Sequence, residues 1–106
     1  MAKYLIKGCY RAEGTKGLLK EGGSKRLAVV QKAIEGLGGK VEAFYYAFGD
    51  ADVVAIIDVP DPTAAIAFSL TVNATGAVQT STTPLISPQE IDQAVKKSIN
   101  FRAPGA

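Results

Sequence analysis

The side chains able to do chemistry gather in two short clusters, one acidic and one basic. Gly49-Asp50-Ala51-Asp52 sets two carboxylates two residues apart, between two apolar runs. Carboxylates that close would bind a divalent cation or share a proton. A cation needs further oxygen ligands, and none is evident. Asp50 and Asp52 therefore read first as turn formers that bond nearby amides, with Gly49 supplying a positive φ. The basic cluster is Gly22-Gly23-Ser24-Lys25-Arg26. Helix N-termini favour anions, so Lys25 and Arg26 in a first turn oppose the helix dipole, at a few tenths of a kcal/mol each. Backbone amides behind two glycines, together with two cations, suit a phosphate or a carboxylate. Lys20 and Lys16, just upstream, add charge. Ser24, Lys25, Arg26 and Lys20 are thus the candidate anion site. The alternative is a solvated basic patch, or a salt bridge to an acid of a partner subunit. GGSKR lacks the spacing of a P-loop or a dinucleotide fingerprint.

Histidine is absent from the 106 residues. The usual general base near neutral pH is missing, and so is the commonest metal ligand. Ser-His-Asp and Cys-His hydrolysis are excluded, and a zinc site with one cysteine and no histidine is not credible. No metal and no cofactor is expected. Any catalysis would run on carboxylates, lysine, arginine or tyrosine. Cys9 has no partner for a disulfide within the chain, which fits a reducing cytoplasm, and it reads as a small buried residue. A net charge of +2 gives no reason to expect nucleic acid or a membrane surface as a partner. No apolar run approaches the roughly 20 residues of a membrane span, and Lys3 and Lys7 interrupt the N-terminus too early for a signal peptide. The length fits one domain over residues 1–106.

These clusters sit on a recognisable order of elements. Residues 3–10 read as a strand. Residues 11–23 hold four of the eleven glycines and read as a long connection, with one short helical turn around Leu18-Leu19. Ser24 offers a cap to a helix carrying Leu27, Val30, Ile34 and Leu37, stopped by Gly38-Gly39. Residues 40–48 and 52–59 form an antiparallel hairpin. Asp61-Pro62 starts a second helix with an aspartate cap and a proline at its first position. A strand over residues 77–83 follows, and Ser87-Pro88-Gln89-Glu90 opens a last helix with Ile91, Ala94, Val95 and Ile99. The order β-α-β-β-α-β-α predicts an α+β, ferredoxin-like βαββαβ sandwich, with a four-stranded antiparallel sheet, two helices on one face and an added C-terminal helix.

The second sheet face is unusually apolar. Strict alternation puts Val41, Ala43, Tyr45 and Ala47 on one side of the second strand and Glu42, Phe44, Tyr46 and Phe48 on the other. The third strand is apolar on both sides through Val54 and Ile56. Two helices cover one face only, and a bare apolar face is larger than a monomer usually tolerates. The expected solution is a homo-oligomer, most simply a symmetric dimer, with a trimer as alternative. The other solution is a C-terminal helix folded back over this face in the same chain.

LLKEGGSKR at 18–26, Gly38-Gly39-Lys40, FYYAFGDADVVAIIDVPD at 44–61 and VNATGAVQTSTTP at 72–84 together resemble the small bacterial GYD-domain proteins. The resemblance covers nearly the whole chain and implies the same βαββαβ fold; no general activity comes with it. The hallmark glycine, tyrosine and aspartate of that family fall on Gly49, Ala51 and Asp52, so alanine stands in the tyrosine slot. Three functions remain. The first is a non-enzymatic binding or regulatory module with a small anionic ligand at Ser24, Lys25 and Arg26. The second is a metal-dependent nuclease resembling the small CRISPR-associated ferredoxin-like nucleases. Those enzymes place an aspartate at the end of the first strand, where this chain has Cys9, Tyr10 and Arg11. The third is a cofactorless enzyme of the dimeric α/β-barrel kind, with a pocket lined by Tyr4, Tyr45 and a threonine cluster. Base stacking on Tyr4, Tyr10, Tyr45 and Tyr46 is disfavoured, because the interleaved basic residues of RNA-recognition modules are missing.

Overall fold

The computed structural model describes residues 2–106. Its elements are β1 (Ala2–Tyr10), α1 (Ala12–Glu21), α2 (Gly23–Gly36), β2 (Lys40–Tyr46), β3 (Val53–Val59), α3 (Pro62–Ala74), β4 (Val78–Pro84) and α4 (Pro88–Ala94). The four strands form one antiparallel sheet in the order β2-β3-β1-β4. This is the ferredoxin-like α+β arrangement, with α2 and α3 on one face.

Each strand sends alternate residues towards those helices. Tyr4 and Ile6 of β1 and Ala55, Ile57 and Val59 of β3 meet Ile34 of α2 and Ala64, Ala65 and Phe68 of α3 in the core. Ile34, Ile57 and Val59 are fully enclosed. The entry to α3 follows from its first residues. The Asp61 carboxylate accepts from the Ala64 amide at 2.9 Å and from the Thr63 hydroxyl at 2.6 Å, and Pro62 needs no donor there. Those hydrogen bonds, the Thr63 hydroxyl first, hold the Asp61 carboxyl below its ordinary range. On the edge strand, Asn73 of α3 accepts from the Thr80 amide at 2.8 Å, which occupies a donor that would otherwise be open to another chain.

Five details depart from the expected elements. Residues 12–21 form a full helix rather than a connection with one turn. A side chain at Gly14 would stand 2.2 Å from the Ala77 carbonyl oxygen, so glycine lets α1 lie against the start of β4. Gly22, at φ +84°, closes α1 with a bond to the Leu18 carbonyl and starts α2 one residue before Ser24, which caps nothing. In β2, a bulge at Glu42 pairs Val41 with Ile57 and Ala43 with Ile56. Val41 therefore joins Phe44 and Tyr46 on the helix side. Cys9 is exposed, not buried: Gly8 takes the helix-facing place, and alternation turns Cys9 to the open face. Finally, α4 ends at Ala94 and buries none of its residues, and Ile99 lies beyond it.

That last point leaves the second face uncovered. It carries Leu5, Val54 and Ile56, half-buried in the plane of the sheet, and Tyr45, fully displayed at 71 % exposure. The C-terminal helix does not fold back over it. Among the described residues, no helix is long and apolar enough to cross a membrane.

Candidate functional site: a cleft between the sheet and its helices

The two long helices do not close over the sheet. α2 packs on β2 and α3 on β4 and β3, which leaves a slot above the central strands. Its deep part is a chamber of about 70 Å³ reaching Ile6, Phe44, Ala55 and Ile57. Outside it lies a cleft of about 410 Å³ between α1, α2, α3 and the start of β4, with Glu13, Gly17, Glu21, Val29 and Thr71 on its rim. Tyr10, Arg26, Val30, Phe68, Val72 and Val78 border both spaces, so they form the neck. The outer cleft alone falls within the roughly 300–1,000 Å³ of small-molecule sites.

The neck is apolar except for two groups. Arg26 comes from the second turn of α2, four residues before Val30, and this spacing points both at the slot. Its guanidinium reaches Glu21 of α1 at 3.5 Å, a long and partly exposed ion pair worth little by itself. Tyr10 ends β1, its amide held by the Asp52 carboxylate at 2.8 Å. Burial, then the neighbouring Tyr46 phenol, pushes the Tyr10 hydroxyl up to about 12, with Arg26 acting the other way. The Tyr46 hydroxyl donates to the Gly23 carbonyl at 3.1 Å, tying β2 to the first turn of α2. A phenol held neutral and a guanidinium held charged can orient an anionic group by hydrogen bonds.

Of the candidate anion cluster, Lys20, Ser24 and Lys25 point to solvent, and only Arg26 borders the cleft. Tyr10, Phe68 and Val72 were not in that cluster. The signal for Arg26 was its spacing of four from Val30, and for Tyr10 its place two residues past Gly8 on the helix-facing side of β1. In the acidic cluster, Asp52 also donates its amide to the Gly8 carbonyl at 2.8 Å, while Asp50 is exposed. The positive φ falls on Phe48 (+66°), not on Gly49. Asp58 lies at the other end of β3, against Lys3. Among the described residues, no three acidic or thiol groups gather as a metal would require. Of the tyrosines, Tyr4 is in the core, Tyr10 and Tyr46 line the helix side, and Tyr45 alone faces outward. Thr80 and Thr82 face α3, where Thr82 bonds Ser69 and Thr80 bonds Asn73.

The family model for the GYD domain matches residues 4–95, which take in every element to α4 apart from the first two residues of β1. The chain belongs to the GYD domain family. In this GYD domain the match includes both walls of the cleft, and Ala51, between Asp50 and Asp52, is buried. No curated protein and no solved structure matches the chain.

Proposed function

We propose that this GYD domain is a binding module for a small, largely apolar molecule carrying a carboxylate or similar anion. The apolar part enters the slot between sheet and helices, and the anion meets Arg26 and the Tyr10 hydroxyl. The observation that carries this reading is Arg26: a guanidinium at the neck of an apolar chamber, with, among the described residues, only a long ion pair to Glu21. The anion preference of the basic helix start is kept, but its working residue turns inward.

Binding is favoured over acid–base catalysis by the direction in which groups are perturbed. A general base at neutral pH needs a pKa moved towards 7. Lys3 and Tyr10 are raised from already high values, and Asp61 and Glu90 are lowered from already low ones. Each shift strengthens the ordinary protonation state.

Benzoate and phenylacetate are suitable probes. A ligand at a hundred times its Kd stabilises a fold by about 2.7 kcal/mol, which for a chain of this size raises Tm by more than 10 °C on the order-of-magnitude scale. Arg26→Gln should weaken such binding about tenfold to a hundredfold, the worth of a charged hydrogen bond. Lys25→Ala, on the solvent side of α2, should leave it unchanged. Equal loss in both variants would return the site to the outer helix start.

A further inference from the structure

The C-terminal arm, residues 85–106, is built like an interface without a partner. It leaves the sheet where the Leu85 amide bonds the Lys3 carbonyl at 2.9 Å, borders Ala2, Lys3 and Pro60 as far as Glu90, and is exposed at every residue from Pro88 onward. The molecule measures 56 × 33 × 22 Å with a radius of gyration of 17.0 Å, whereas a compact chain of this length has about 13 Å. Along the arm Ile86, Ile91, Val95, Ile99 and Phe101 are between half and four-fifths exposed. Five large apolar side chains in so short a segment are too many for a solvated tail.

The open sheet face offers the matching surface. Leu5, Val54, Ile56 and Tyr45 form its apolar centre. At one end Lys3 bonds both Glu42 and Asp58, so one cation serves two carboxylates. Asp58 is 8 % exposed, and its Oδ1 atom finds no hydrogen-bond partner among the described residues. Enclosed by its own chain, that oxygen is out of a partner's reach, so the accessible acid at this end is Glu42. The arm beyond Asp92 holds Lys96, Lys97 and Arg102 and no acid. The apolar centre therefore complements the arm through its apolar residues rather than its charges, since Lys7, opposite Val54, and Lys40, opposite Asp58, lie on the same face.

We propose that two copies of this chain exchange arms, each laying its apolar C-terminal residues across the open sheet face of the other. Four strands about 4.8 Å apart and seven residues long at about 3.3 Å each present roughly 450 Å². Two faces and the two arms over them total on the order of 1,800 Å², the size of a stable interface. This assembly goes beyond the ligand reading and stands without it.

The test uses full-length protein in sedimentation velocity and native mass spectrometry. Wild type should run at twice the 11.1 kDa chain. Ile99→Asp with Phe101→Asp touches nothing in the core and should weaken the dimer about a hundredfold or more, as loss of two apolar anchors does. Tyr45→Asp, on the exposed face, should weaken it as well. Mixing the arm variant with the face variant should restore a heterodimer, since one intact arm then meets one intact face. A monomeric wild type, an arm or face variant that dimerises as tightly as wild type, or a mixture that stays monomeric would each overturn the exchange.

Discussion

Arg26 and Tyr10 show how the same side chain takes its meaning from direction. Arg26 lies beside Lys25 in the sequence, but one faces the chamber and the other faces water. Tyr10 has its phenol raised to about 12, chiefly by burial. The unfolded chain ionises tyrosine near 10, so the folded form is favoured fully below that pH. This contribution is lost as pH rises from about 10 through about 12. Tyr10→Phe should therefore flatten the fall in Tm across that window, and absorbance at 295 nm should lose a tyrosine titrating at about 12. A Tyr10→Phe variant with the wild-type alkaline profile would show that the phenol is not held as described.

At the scale of elements, α1 decides whether the cleft has a third wall. Gly14 and Gly17 lie one turn apart on it, yet only Gly14 is in close contact. Replacing a helical glycine by alanine gains about 1 kcal/mol of helix propensity. At Gly14 the new methyl would press on the Ala77 carbonyl at 2.2 Å and on the Tyr10 ring at 2.9 Å. Overpacking of that kind costs about 1–3 kcal/mol, so the clash wins. Gly14→Ala should lower the urea midpoint, and Gly17→Ala, with nothing within 4 Å, should raise it. The reverse order would mean that α1 is not seated on β4. The same glycines explain why α1 was not legible in the sequence. Their helix propensity is poor, and the contact that rewards Gly14 is with Ala77, some sixty residues away. By contrast α2, the β2–β3 hairpin and the Asp61-Pro62 start of α3 were legible, because their signals are local: apolar spacing, a short link, a cap. The bulge at Glu42 and the exposure of Cys9 were not, since both are set by pairing across the sheet. The cleft was legible only as a basic residue type near a helix start. Which way Arg26 points depends on how α2 lies over β2.

The whole molecule is a small ferredoxin-like sandwich with one face served by its own helices and the other left apolar. The ligand cleft lies on the helix side and the proposed arm exchange on the other, so the sheet separates the two. A variant that abolishes dimerisation need not touch the cleft, and Arg26→Gln need not touch the assembly. The cleft is the central claim. Its most direct measurement is an NMR titration of the isotope-labelled full chain with phenylacetate, following backbone amides together with the Arg26 guanidinium. The account predicts shifts concentrated at Arg26, Tyr10, Phe68 and Val72. Shifts confined to Lys20, Ser24 and Lys25, or to the open face around Tyr45 and Ile56, would contradict it.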